Sequence, residues 1–199
     1  MKHIDPWIIH WVDFTDYYKV CDSLAMRGAT YALVYFDSNK SPSKRQLPSE
    51  FEECVYIGKS ANNYFDTQGK VFGGKVRSHI HKRMTSHFGA LTRINGGDSS
   101  HKSIKEVYGV LGNSDISNPN YGKRLMLCLM IPPPDVPDAA VPRWCLTQEQ
   151  IQLYSYEMNF NHTTLGNMDT NGPKDKDKYL SYTMKNSPRP AVDLMDFCE

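Results

Sequence analysis

The chain has few cysteines and no paired cysteine motif. Its five cysteines (Cys21, Cys54, Cys128, Cys145 and Cys198) are scattered, odd in number and without a CxxC. That excludes a disulfide-stapled scaffold and argues against a structural zinc site, and it fits a reducing compartment. Long apolar runs are also missing. The longest, "LMLCLMI" at 125–131, has the length of a buried strand rather than of a membrane span. The opening "MKHIDPWIIHWVDF" is too acidic and too interrupted to read as a secretory signal. There is no internal repeat. Neither charge dominates, with 23 Lys+Arg against 22 Asp+Glu and a net charge of +1. What remains is 199 residues with 40% hydrophobic and 12% aromatic content, enough for one domain with a real core and insertions.

The small net charge hides a gradient. From Lys59 to Lys105 nine Lys or Arg face only Asp66 and Asp98, a local balance of +7. Residues 1–58 carry −2 and residues 106–199 carry −4 by the same count. A basic middle flanked by acidic ends fits a patch facing a polyanion, although a solvated helix face would look the same.

Patterning gives a coarse architecture. "IIHWVDFTDYYKVCDSLAMRG" (8–28) reads as a helix stopped by Gly28, an N-terminal extension to the core. "ATYALVYF" (29–36) is a strand with Tyr31, Leu33 and Tyr35 on one face. After a polar loop with two prolines, "CVYIG" is a second strand, expected antiparallel to the first. "KVRSHIHKRMTSHF" (75–88) carries Val76, Ile80, Met84 and Phe88 at helical spacing. Residues 89–121, rich in Gly, Ser and Asn, read as an insertion around the amphipathic piece "HKSIKEVYGVL". "RLMLCLMI" is a third strand ended by prolines. "LTQEQIQLYSYEMNF" (146–160) is a helix opened by a Thr147–Gln150 capping box, and a polar tail follows Asn161. The expected fold is α/β (α+β): a small three-stranded, mainly antiparallel sheet flanked by helices, with the core over 29–161 and the tail over 162–199.

Metal-assisted phosphodiester hydrolysis needs a proton acceptor, a carboxylate for a divalent cation, a cation at the phosphate and help for the leaving oxygen. Tyr31 and Tyr56 fall on strands expected to pair. Lys59, Arg83 and His87 follow on a loop and a helix. Glu149 falls in the first turn of the last helix, where the dipole would help keep it ionised.

In that order, "ATYALVYF", "VYIGK", a helix with "RMTSHF", and a helix with Glu149 followed by "NFN" resemble the GIY-YIG nuclease superfamily, closest to its restriction-endonuclease branch. The resemblance spans Ala29 to Asn161. Its first motif is altered, because Ala29-Thr30-Tyr31 stands where the family has Gly-Ile-Tyr. The resemblance implies a Mg²⁺-dependent DNA endonuclease, with Mn²⁺ as an alternative ion, restriction-like or encoded by a phage or mobile element. It implies catalytic roles for Tyr31, Tyr56, Lys59, Arg83, His87 and Asn161, and metal binding by Glu149. A tyrosine with basic neighbours would activate water, and Arg83 would bind the scissile phosphate. Double-stranded DNA is the implied partner, contacted by Lys70, Lys75, Arg77, Lys82, Arg93 and Lys102. A homodimer or sequential nicking by a monomer would cut both strands. The implied location is the cytoplasm of a prokaryotic or phage-infected cell.

Several alternatives stay open at this level. Arg77 and His81 have the same spacing as Arg83 and His87, but Met84 after Arg83 matches the family's apolar residue and Ser78 after Arg77 does not. Glu157 competes with Glu149 as the metal ligand. Asn161 reads equally as a helix-stop residue. A strand tyrosine taken singly more often packs than reacts. Which group is the general base is also open. Two rival classes remain: a silent nucleic-acid-binding module that keeps the fold, and a structural or partner-binding protein with accidental motif matches.

Overall fold

The computed structural model describes residues 8–61, 70–72, 75–112, 117 and 122–167. In chain order the elements are β1 (Ile8–Asp13), α1 (Tyr17–Leu24), β2 (Gly28–Asp37), β3 (Cys54–Ala61), β4 (Lys70–Phe72), β5 (Lys75–Arg77), α2 (His79–Thr92), α3 (Ser99–Tyr108), β6 (Lys123–Ile131) and α4 (Val141–Phe160). The principal sheet has four strands in the order β1-β6-β2-β3, with every neighbouring pair antiparallel.

This corrects the three-stranded sheet expected from the sequence. The fourth strand comes from 8–13, which patterning assigned to a helix. Ile9 and Trp11 pack toward one sheet face and Val12 and Phe14 toward the other. A strand with apolar residues on both faces loses the clean period of two, and its apolar residues then satisfy helical spacing by chance. Only Tyr17–Leu24 of the expected helix is α-helical, and Gly28 opens β2 instead of closing a helix.

Two further boundaries move. The helix expected from Lys75 begins at His79, because Ser78 is its N-cap and its hydroxyl accepts the His81 N–H at 3.1 Å. The backbone of Lys75–Arg77 instead pairs with Lys70–Phe72 in a two-stranded sheet. The last helix begins at Val141, five residues before the expected start, with Pro142 in its first turn, where a missing N–H costs nothing.

The two faces of the four-stranded sheet bury different clusters. On one, Tyr31, Leu33, Tyr35 and Leu127 meet Ile80, Met84 and Leu91 of α2 and Ile104 of α3. On the other, Ala32, Val34, Ile57 and Cys128 meet Leu153 and Tyr156 of α4. Each fully buried Leu, Ile or Met contributes about 1.5–3 kcal/mol. The segment expected as an insertion is therefore tied into the core, since Ile104 is fully buried and Tyr108 stacks on Tyr35 at 4.3 Å. Cys21, Cys54, Cys128 and Cys145 are buried and free, and burial pushes the Cys21 and Cys145 thiols up to about 12. Among the described residues, no helix is long and apolar enough to cross a membrane.

Candidate active site

The sheet brings the two sequence-marked tyrosines together. Tyr31 on β2 lies opposite Gly58 on β3, so Tyr31 shares a face with Gly58 and with Tyr56 two residues before it. A bulge supports this arrangement. Leu33 pairs with Tyr56 and Val34 with Cys54, which leaves Val55 as the extra residue. In a regular strand Cys54 and Tyr56 would face the same way. The bulge sends Cys54 to the α4 side and Tyr56 to the α2 side. The two phenol rings stack with centroids 5.9 Å apart and 13° between their planes.

Gly58 is what lets them do so. A Cβ there would lie 2.7 Å from Tyr56 Cε1 and 2.8 Å from Cζ and Oη of Tyr31. The Gly58→Ala substitution should therefore force both rings apart and destabilise the fold by about 1–3 kcal/mol, as overpacking does. Denaturant unfolding checks it, and an unchanged midpoint would refute the close-packed assignment.

Helix α2 supplies the polar half of the cluster. Ile80, Met84 and Leu91 bury its apolar stripe, which holds Arg83 and His87, one turn apart, over the tyrosines. Arg83 donates from Nε to Tyr31 Oη and from Nη2 to Tyr56 Oη, each at 3.1 Å. His87 Nε2 lies 2.8 Å from Tyr31 Oη. The rival pair does not form a comparable site: Arg77 has its backbone in β5, outside the helix, and His81 Nδ1 lies 2.9 Å from Asp22 Oδ2.

These groups control one another's protonation. Tyr31 is 0% exposed; burial and the neighbouring Tyr56 raise its pKa, while the Arg83 guanidinium opposes the rise. Arg83 is held firmly protonated, chiefly by Tyr31. Burial drives His87 down to about 3, helped by Arg83 and His101, so its ring is neutral at neutral pH.

Two members of the cluster were not legible as chemistry in the sequence. His87 Nδ1 lies 2.8 Å from His101 Nε2, and His101 Nδ1 lies 2.7 Å from Asp98 Oδ1. Burial alone would raise the Asp98 pKa, but interactions with His101, including hydrogen bonds from its backbone and ring, outweigh it and bring it below the ordinary carboxylate value. The only sequence signal was Asp98 three residues before His101, an N-cap pattern that marks a helix start and says nothing of His87.

Glu149 approaches from the other side of the sheet. It lies eight residues into α4, past the first two turns, so the helix dipole cannot be what favours its charge. Burial raises its pKa, and the Lys59 and Arg83 charges oppose the rise together with a hydrogen bond from the Lys59 backbone N–H. Lys59 belongs to β3, not to a loop, and faces Thr30 in the sheet register. Two residues earlier, Asn167 closes on the same strand. Its Oδ1 accepts the Ile57 N–H at 2.9 Å and its Nδ2 donates to the Ile57 carbonyl at 2.8 Å. The carboxylate and this amide thus line the outer side of β3, with Tyr31, Tyr56 and Arg83 around the strand on the α2 face.

Asn161 is not brought to the cluster. It caps α4 with a left-handed φ of 59°, its N–H bonded to the Glu157 carbonyl. It stands twelve residues beyond Glu149, about 18 Å along the helix axis at about 1.5 Å per residue. Glu157 lies two turns beyond Glu149 on the same helix. Of the expected DNA contacts, Lys82 on α2, Arg93 at its end and Lys102 on α3 are exposed. The side chains of Lys70, Lys75 and Arg77 lie outside the described structure. Lys105, counted in the basic segment, is spent internally. Its Nζ donates to the carbonyls of Ala90, Arg93, Ile94 and Gly96 at 2.6–3.2 Å.

Among the described residues, no group of three or more His, Cys, Asp or Glu is placed to hold a metal ion. A site here would rest on Glu149 alone. That donor set is compatible with Mg²⁺, which keeps several waters and is commonly held by one or two carboxylates plus substrate phosphate. The chain was compared with protein-family models, curated proteins and solved structures, and none matches.

Proposed function

We propose that the chain is a divalent-metal-dependent DNA endonuclease of the GIY-YIG type, hydrolysing phosphodiester bonds. The observation that carries this reading is the bridging Arg83, which donates to both Tyr31 and Tyr56 while His87 backs Tyr31. A packing role alone would not call for two phenols, a guanidinium and an imidazole joined through their reactive atoms. A buried carboxylate near Lys59 on the same strand adds to the support.

In this reading the Arg83 guanidinium, two of whose nitrogens hold the tyrosines, offers Nη1 to a phosphate oxygen. Tyr31 receives the proton of the attacking water, because His87 stands behind it to accept the phenolic proton. The Tyr31 oxygen keeps a lone pair for that proton beyond the one that Arg83 Nε occupies. Tyr56 keeps the guanidinium oriented. Glu149 would hold Mg²⁺ or Mn²⁺, which supplies Lewis-acid stabilisation to the departing oxygen. Lys82, Arg93 and Lys102 track the DNA backbone, so affinity should fall steeply with salt. Asn161 has no part in the chemistry here and serves as the α4 cap.

Plasmid DNA incubated with the protein and Mg²⁺, beside the Glu149→Gln variant, tests the reading. Cleavage by the native chain should drop by at least about 10²-fold in the variant, the scale of losing a transition-state electrostatic contact. DNA binding should persist. Undiminished cleavage by the variant would sink the metal assignment. Binding without cleavage across divalent ions and DNA sequences would instead favour a silent DNA-binding module. That second reading draws on Tyr31 being wholly buried and already bonded within the cluster.

A further inference from the structure

The chain of contacts behind Tyr31 has a direction, and both ends enforce it. Arg83 can only donate, so the Tyr31 oxygen accepts from its Nε and the single phenolic hydrogen must go elsewhere. Its partner at 2.8 Å is His87 Nε2, which therefore accepts. His87 then carries its hydrogen on Nδ1 and donates to His101 Nε2. At the far end the ionised Asp98 carboxylate can only accept, so His101 carries its hydrogen on Nδ1. The two deductions, made from opposite ends, agree at every contact. In the reverse order the buried Tyr31 hydroxyl would have no acceptor in this chain of contacts, a costly state for a group without solvent.

Resting on the nuclease reading of Tyr31, we infer that Asp98 and His101 are positioning residues. They lock His87 as its Nδ1–H tautomer, so that Nε2 is always ready to take the Tyr31 proton. The same chain moves that proton away from the reacting centre. The phenolic proton passes to His87 Nε2 as the His87 Nδ1 proton passes to His101 Nε2. No proton is gained or lost. A phenolate then stands beside the Arg83 cation, and a His101 imidazolium stands beside the Asp98 carboxylate. The phenolate accepts the proton of water. Tyr56 is also packed on the His87 ring, at 4.7 Å between ring centroids.

A simpler role exists for Asp98, because it is also the N-cap of α3 and accepts the His101 backbone N–H at 3.2 Å. Capping needs that contact alone. It does not need the ring contact, nor the buried His87–His101 contact at 2.8 Å. Asp98→Ser separates the two roles, since serine caps a helix as well as aspartate does but brings no carboxylate to the ring.

The test uses the full chain with ¹⁵N-labelled histidine. Imidazole ¹⁵N spectra at neutral pH should show both His87 and His101 as Nδ1–H, the less common tautomer of free histidine. In Asp98→Ser that preference should be lost at His101 and weakened at His87, where Arg83 still directs the Tyr31 hydrogen, while the melting temperature stays within a few degrees. With plasmid and Mg²⁺, kcat should fall by about 10²- to 10⁴-fold, the range for general acid–base assistance, with KM unchanged. His101→Gln can still accept from His87 Nδ1 but cannot take up a proton, so it should keep the His87 tautomer yet lose rate. His87 found as Nε2–H in the native protein, or native tautomers and rate in Asp98→Ser, would overturn the inference. Correct tautomers in a native protein that cuts no DNA would overturn only the nuclease reading.

Discussion

The Arg83→Lys variant should lose about 10²- to 10³-fold in cleavage rate, the scale of removing a preorganised donor to a developing charge. Charge is conserved in this exchange, so the loss would come from shape. The guanidinium is planar and presents donors along two edges, so that with Nε and Nη2 holding Tyr31 and Tyr56, Nη1 is the nitrogen left for a phosphate. A lysine ammonium is a point charge on a flexible stem and cannot span two phenols and a phosphate together. Without the fixed Nε contact, Tyr31 would become harder to ionise. Single-turnover rates on a DNA substrate, with binding measured separately, check this. An R83K variant that cuts at the native rate would show that the bridging geometry is dispensable.

The Lys105→Met exchange should destabilise the fold by about 2–4 kcal/mol, since hydrogen bonds to charged groups are worth about 1.5–3 kcal/mol. The melting temperature should drop by roughly 5–15 °C for a domain of this size. The Lys105 ammonium donates to four carbonyls around the end of α2 and the turn leading to α3. Methionine preserves the stem and removes every donor. The expectation is far above that for an exposed lysine on the same helix, so Lys102→Met should stay within about 0.5 kcal/mol. Calorimetry on both variants decides, and equal small shifts would mean that water replaces the ammonium without loss. Because that turn carries Asp98, the K105M variant should also loosen the His101 contact.

The sequence made β2, β3 and β6 legible because each is a compact β-branched or aromatic run bounded by turn residues. It also marked Tyr31, Tyr56, Arg83 and His87, which the fold joins by hydrogen bonds, and Glu149, which the fold places across the sheet near Lys59. β1 was hidden because both its faces are partly buried, and α4 was read too short because Thr147 and Gln150 imitate a capping box inside a helix that already runs from Val141. The Asp98–His101 contact was hidden for another reason. Tertiary packing of α3 on α2 creates it, and no periodicity within either segment encodes where the two rings meet. The role of Asn167 was equally silent, since an amide 110 residues from Ile57 leaves no local trace.

Asn167 also bears on assembly. A strand at the margin of a sheet is a template for another chain, and its open amide and carbonyl groups invite pairing. At β3 the Ile57 pair is already occupied by the Asn167 amide, and the buried Glu149 carboxylate stands near Lys59 on the same strand. A second copy could extend the sheet there only by stripping away both side chains, one of them the proposed ion ligand. Continuous sheet formation across β3 and a working site are thus mutually exclusive. A two-fold assembly that cuts both DNA strands must join through another surface.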